Sequence, residues 1–600
     1  MQQNNLPHNF YIPVMGTGFT IDTPLYVAKY GISSVVSLVD DVLIEQMRKY
    51  WCDKTGELYE PINDRDEDAR AKRITAYLNL MQKIIDRQIA EIKSYAFTAG
   101  SEIMHYFDLL PDGELKQLYQ DMLQEKNEKR KLAVQEQLRQ AITAGSVDVN
   151  IMTKLDCQHY VNGEGLPYEF CDAAAALRGY ANSVLDSTVV FSAGFNPQLY
   201  SYMAKFQDFF PDKNSYVKKK ICLKVSDYRS AAIQGKYLAK HGLWVSEYRV
   251  ESSLNCGGHA FVNNGQLLGP ILTEFKQRKT ELLNTLHGFY RKALQGIKKF
   301  CADIPQKVKI TAQGGIGTSD EHKMLLKDYE LDAVGWGTPF LLVPEVTNVD
   351  VETLQKLISV KDQDVFLSNS SPLGIPFWNL KNSGSEEQRC ERIDQGKPGS
   401  FCSKGYLRFD NEFTKKPICK ASREYQALKL QQLAKSVLPK EKITILQEEV
   451  VNKSCICHEL GGGVLLKDNM DSKVPPAICP GPNIVNFSRL MTLKDMIWHI
   501  YGRCSFMLNR ERPHVFIREI QLQVNNLLQE VKNASVGLPA RSKQKLIEVK
   551  ENLVHGISYY QKFAKEKLKE QQGSFLAALR ELQTKLDNIH LDNVVFGEDL

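Results

Sequence analysis

Ile310-Thr-Ala-Gln-Gly-Gly-Ile-Gly-Thr-Ser-Asp320 and, a little further on, Asp332-Ala-Val-Gly-Trp-Gly-Thr-Pro-Phe340 decide the fold. Each reads as a short apolar strand that runs into glycines. A phosphate needs backbone N–H groups in a concave turn, and it gains from a helix N-terminus aimed at it. Gln313, Gly314 and Gly315, continuing through Ile316-Gly317, supply one such turn, and Thr318 or Ser319 offers an N-cap for the next helix. Gly335, Trp336, Gly337 and Thr338 repeat the design about twenty residues later. In (β/α)8 barrels the loops after strands seven and eight commonly form the phosphate site. The competing view is that these glycines only make tight turns.

Working outward, the strand–helix alternation runs back to the N-terminus. Apolar runs near residues 12, 35, 149, 190, 222, 247, 310 and 334 give about eight strands. Repeated β/α units argue for a parallel sheet, and eight of them argue for closure. The fold class predicted is α/β, a (β/α)8 TIM barrel built from 1–45 and 147–346. Residues 46–146 are rich in Lys, Glu, Gln and Leu at helical spacing and read as a helical insertion after the second strand. Residues 347–485 read as a loop-rich, cysteine-containing extension. Residues 486–600 read as a helical region, an antiparallel hairpin or small bundle.

Six hundred residues exceed a single core, since chains divide beyond roughly 250–300 residues. With 43% hydrophobic and 24% charged residues the composition is that of an ordinary globular protein, and a net charge of +5 gives no reason to expect nucleic acid or an anionic membrane as partner. Residues 1–7 lack a basic start and an apolar stretch, and no run of about 18 apolar residues follows, so neither a secretory signal nor a membrane span is expected. The 13 cysteines are scattered like reduced thiols, which predicts a cytoplasmic protein. Homo-oligomerisation is left open.

The run from Ile310 to Glu345 resembles the phosphate-binding end of the nitronate monooxygenase (2-nitropropane dioxygenase-like) family, whose superfamily includes flavin-dependent enoyl reductases. Further segments match in order: Pro13-Val14-Met15-Gly16-Thr17-Gly18, Asn150-Ile-Met, Ser192-Ala-Gly194 and Asn255-Cys256-Gly257-Gly258-His259. The resemblance covers 9–45, 147–345 and, weakly, 364–382. It implies FMN as cofactor, with Met15, Gly16, Thr17, Asn150, Gly257 and Gly258 beside it. It implies His259 as catalytic acid or base, a role that suits a neutral imidazole on a barrel loop. Lys224, inside a strand, suits the N1–C2=O edge of a reduced flavin, although an ordinary partner-paired lysine fits equally. The family carries Glu-Ala or Asp-Ser where this chain has Asn255-Cys256, which leaves the reaction open.

The resemblance thus implies oxidation or reduction of a small-molecule or acyl substrate, with NAD(P)H and O2 both open as electron partner. An enoyl-thioester reductase is one alternative. A catalytically silent barrel that binds a phosphorylated ligand and serves as a complex subunit is another. Past the barrel, Cys455, Cys457, His458 and Cys479 lie on Gly- and Pro-rich loops. Thiolates and an imidazole there suit zinc or an iron–sulfur cluster, although no Cys-x2-Cys pair is present, and buried free thiols are the competing view.

Overall fold

The computed structural model describes residues 6–161, 163–260, 264–509, 512–535, 540–568 and 571–591. Among these, eight parallel strands close a barrel in sequence order: β1 (Phe10–Ile12), β2 (Ser33–Ser37), β3 (Val147–Met152), β4 (Ser187–Ser192), β5 (Lys219–Val225), β6 (Val245–Glu251), β7 (Lys309–Gln313) and β8 (Ala333–Gly335). The first and last strands meet at Phe10–Val334 and Tyr11–Gly335. All eight strands coincide with the runs read from the sequence.

The barrel interior is polar along one side. Alternate residues of a strand face the same way, so β6 points Glu247, Arg249 and Glu251 inward together. Arg249 donates to Glu247 at 2.8 Å and lies 3.9 Å over the Tyr11 ring, while Thr311 donates to the same carboxylate at 2.5 Å. Burial pushes the Glu247 carboxyl up, but the Arg249 charge outweighs it and holds it below its ordinary range. Buried charges persist only when paired in this way.

Five helices, Asp41–Thr55, Ala69–Ser94, Glu102–Leu109, Glu114–Gln124 and Glu128–Ala141, fill the stretch between β2 and β3. The long one lies directly on Asp172–Ala181: a Cβ on Gly179 would stand 2.8 Å from the Ala71 carbonyl and from Ile74. The stretch after the barrel is less irregular than expected, because it contains an antiparallel pair, β9 (Val365–Ser368) and β10 (Phe377–Leu380), and a helix, Gly384–Asp394. Short strands beside proline and serine clusters carry too little periodicity to be seen in the sequence.

The tail forms three packed helices, Val515–Ser535, Lys543–Lys567 and Gln572–Asp587. Two buried carboxylates dock it, each capping a helix on the other side of the junction. Glu321, on a barrel helix, accepts from the Val515 amide at 2.7 Å at the start of the tail. Glu519, on the tail, accepts from the Leu268 amide at 2.8 Å at the start of the barrel helix Leu268–Gly296. Carboxylates at helix N-termini satisfy orphan amides and meet the positive end of the helix dipole. One continuous hydrophobic core runs from Phe10 to Leu591, so barrel, extension and tail are packed together. No described helix is long and apolar enough to cross a membrane.

Buried histidines stitch these parts together. Burial lowers His8 to about 3, and lowers His322 and His514 to about 4. In the unfolded chain these groups titrate near 6.5, so protons bind the unfolded state first and stability falls as pH drops from 6.5 toward 4. By pH 5 each contributes about 2 kcal/mol of destabilisation. His259, also lowered to about 4, adds a fourth contribution of the same size, while Glu459, raised to about 7 by burial, works in the opposite direction and offsets about one of the four. The urea midpoint is expected to drop between pH 7 and pH 5 by the equivalent of about 6 kcal/mol; an unchanged midpoint would contradict this.

Candidate functional site

The C-terminal ends of the strands carry the chemistry. Lys224 at the end of β5 pairs with Glu251 at the end of β6 at 2.8 Å. Gln313 at the end of β7 donates to the other Glu251 oxygen at 2.7 Å, and its own carbonyl oxygen lies 3.3 Å from the Tyr11 hydroxyl. Gln313, expected in the phosphate turn, therefore points its side chain into the barrel and steadies Glu251. Glu251 went unnoticed in the sequence; its signal was the period-two charge pattern Glu247, Arg249, Glu251.

His259 is held by a clasp that was not foreseen from the sequence. Trp378 donates its amide to the Gly258 carbonyl at 2.9 Å, and Ala260 donates to Pro376 at 2.8 Å, so the β9–β10 segment pins the Gly-Gly-His loop on both sides. The His259 Nε2 lies 2.7 Å from the Ser371 hydroxyl, and the Phe377 ring stands edge-on at 5.1 Å. Burial, helped by the Lys224 and Lys154 charges, lowers the His259 pKa to about 4, so the ring is neutral at physiological pH. Lys154, exposed just beyond β3, and Ser371 join the cluster as residues missed in the sequence.

The loop before His259 explains its glycines. Gly257 has φ +114°, and a Cβ there would stand 2.0 Å from the Cys479 carbonyl oxygen. Its amide donates to the Asn255 side chain at 2.8 Å, while the Asn255 amide group donates to the His259 carbonyl at 2.8 Å. Asn255 thus holds the loop's shape. Cys256 fills space: a Cβ on Gly337 would stand 2.7 Å from its Cβ, and burial pushes its thiol up to about 12. A thiol held neutral in this way is a poor nucleophile.

The two glycine turns that fixed the fold face this loop. Gly314 abuts the Asn255 backbone, and Gly315 abuts Leu254. The helix N-terminus expected to meet a phosphate is capped from within: Glu321 accepts from the amides of Gly317 at 2.9 Å and Thr318 at 3.3 Å, and it pairs with buried Arg512. Trp336 turns away from the mouth and donates to His322 at 3.2 Å, and Gly335 forms barrel wall against Gln313 and Tyr11. What remains at the turns is narrower than the sequence suggested. The amides of Gly315 and Gly337 donate to no described group, and the Thr338 hydroxyl donates to the Cys256 carbonyl at 3.2 Å.

At the other side of the mouth, Met15 is buried with its amide on the Thr20 hydroxyl at 3.2 Å. Thr17 Oγ1 and Asn150 Oδ1 are buried without a described partner. Such atoms cost free energy unless a ligand or water meets them.

The four predicted metal ligands are not brought together. Cys479 lies at the mouth, where its thiol accepts from the Gly16 and Gly258 amides and burial pushes it up to about 12. Cys455 and Cys457 lie elsewhere, near Cys402 and Cys419. His458 Nδ1 is buried without a described partner, and its ring senses Lys404 and Asp40. Among the described residues no three His, Cys, Asp or Glu side chains form a ready ligand set for a metal ion. The spacing Cys-x-Cys-His suggested proximity, but a short helix, Ile456–Glu459, separates its side chains from the later Cys-Pro segment.

No family model and no curated protein matches the sequence. Among solved structures, the enoyl reductase domain of MlnA from the macrolactin biosynthesis cluster of Bacillus amyloliquefaciens is similar, at 14% identity and a TM-score of 0.33 over 65% of this chain and 86% of that one. A likeness that slight says nothing of function.

Proposed function

We propose that the barrel is an FMN-dependent oxidoreductase whose substrate carries or develops an oxyanion, as a nitronate or the enolate of an enoyl thioester does. The observation that carries this is His259, neutral, held by Ser371 and flanked by the charges of Lys224 and Lys154 at the strand ends. Preorganised cations and dipoles aimed at developing negative charge are the usual largest source of rate enhancement.

The residues at the mouth fit the cofactor. Thr17 Oγ1 and Asn150 Oδ1 offer buried, unsatisfied atoms, and Lys224, although paired with Glu251, stands at the strand ends where a cation would suit a reduced ring. Gly315 and Gly337 offer amides for the phosphate in place of the helix terminus that Glu321 occupies. When bound, FMN supplies the two-electron redox chemistry. The chain's own residues do the rest. Lys154 attracts an anionic or polarised substrate, His259 exchanges a proton at the substrate carbon or steadies its oxygen, and Ser371 fixes the ring.

A second view, a silent barrel serving as a complex subunit, draws on one observation: Cys479–Gly481 crosses the mouth and lies against Gly257 and Thr338. Turnover separates the two. Flavin-loaded protein is expected to oxidise alkyl nitronates with O2 or to reduce enoyl thioesters with NAD(P)H; failure with both classes would favour the silent barrel.

A further inference from the structure

The net charge of +5 is modest when averaged over the chain, but it is distributed unevenly. Residues 205–220 and 291–309 hold ten lysines and one arginine against three aspartates, so these two segments alone carry more positive charge than the whole chain. The fold brings them together at the N-terminal end of the barrel. The first leads into β5 and the second into β7, which sets Lys219, Lys220 and Lys309 at strand starts. Between the two, Gln306 donates to the Ser215 carbonyl at 3.1 Å. Lys299 donates to the Gln207 side chain at 2.5 Å, and its ammonium lies 4.5 Å from the centre of the Phe210 ring. A Cβ on Gly242, just before β6, would stand 3.3 Å from Phe210 and 3.7 Å from Ile297, so both segments close on the start of that strand as well.

Apolar side chains stand out from this basic ground. Where the helix Leu268–Gly296 ends, Ile297 and Phe300 are 50% exposed and Ile304 75%, and Tyr216 on the facing loop is 43% exposed. Exposed apolar groups gathered in one place mark an interaction surface, whereas single ones need no explanation. The nearby acids are taken up locally. Asp208, Asp186 and Asp303 pair with Lys218, Lys220 and Arg291 at 3.1, 2.7 and 3.2 Å, and Asp212 accepts from the Asn214 and Tyr216 amides at 2.8 Å. Lys213, Lys292, Lys298 and Lys309 are exposed and form no ion pair among the described residues.

We propose that this end of the barrel docks on an anionic lipid surface. Apolar side chains enter the boundary between headgroups and acyl chains, tyrosine favours the same level, and lysines meet the anionic headgroups. The kind of cation separates a lipid from a protein partner. Protein interfaces are depleted in lysine and enriched in arginine, whereas lysine outnumbers arginine ten to one in these two segments. Each lysine close to an anionic membrane strengthens binding about fivefold, so the four without an ion pair act together with the apolar tips. The contact is peripheral, because no described helix is long and apolar enough to cross a membrane. The C-terminal ends of the strands lie at the opposite end of the barrel, so a docked molecule turns Lys224 and the His259 loop toward water. The docking face does not depend on a flavin being bound.

The test is co-sedimentation of the full-length protein with vesicles of phosphatidylcholine alone and of phosphatidylcholine mixed with phosphatidylserine. Binding is expected to the mixed vesicles only, and it is expected to weaken as added salt shortens the range of the lysine charges. The double variant Lys292→Glu/Lys298→Glu is expected to lose about tenfold or more in affinity, and Phe300→Ser/Ile304→Ser is expected to lose binding as well. Lys397→Glu, at an exposed lysine of the extension, is expected to bind like the wild type. All five positions are exposed, so the core is left intact. Equal binding to both vesicles would overturn the proposal. So would binding to neither, which would leave the face to an acidic protein. Binding that survives the loss of Phe300 and Ile304 would reduce the contact to diffuse adsorption of cations and would overturn the docking face too.

Discussion

His259→Ala is expected to lower turnover by about 10²–10⁴-fold, the usual contribution of a general acid or base, with flavin content unchanged. The ring touches the mouth from a loop that is clasped independently by Trp378 and Ala260 backbone bonds, so its removal leaves the loop in place. The pH profile carries separate information. With a pKa lowered to about 4, His259 stays neutral across the neutral range, so a rate limited by its neutral form is flat there and falls only as pH approaches 4. A variant with wild-type turnover would remove His259 from the mechanism.

Glu321→Ala is expected to cost about 3–5 kcal/mol of stability, the range for leaving a buried charge without its partner. Glu321 accepts from Gly317, Thr318 and Val515, and it pairs with Arg512; both charged side chains are 4% exposed. Burial pushes its carboxyl up, but the Arg512 charge, with the Gly317 and Val515 amides, outweighs that and holds it below its ordinary range. Removing it strands the Arg512 charge and uncaps two helices at once, one in the barrel and one in the tail. Urea unfolding reads the loss directly. A loss below about 1 kcal/mol, the level of an exposed ion pair, would show that the junction is held by apolar packing alone.

The barrel was legible because its signal is local. Each strand is a short apolar run, each crossover a helix, and the glycine turns at Gly314 and Gly337 need no partner to be recognised. The occupants of the turns were not legible. That Glu321 caps the helix at Gly317 depends on Arg512 and Val515, nearly two hundred residues away. Ser371 and the Phe377–Leu380 strand hold His259 across more than a hundred residues, in a stretch whose serines and prolines read as loop. Cysteine spacing misled for the same reason. Cys479 follows Cys457 closely in sequence but lies at the mouth, whereas Cys455 and Cys457 lie near Cys402 and Cys419, which come more than thirty residues earlier. Glu251 was readable in principle, because charges at every second position of a barrel strand must face a polar interior or solvent.

The flavin itself is the most direct test of the account. The protein is purified, denatured, and its supernatant examined for FMN by absorbance and fluorescence; protein that emerges colourless is first incubated with added FMN and desalted. The account predicts about one FMN per chain, released on denaturation. It also predicts that Gly315→Val and Gly337→Val, whose side chains would collide with Leu254 and Cys256 and so displace the two amides, reduce retention. A folded wild-type chain that carries no FMN and takes up none would contradict it.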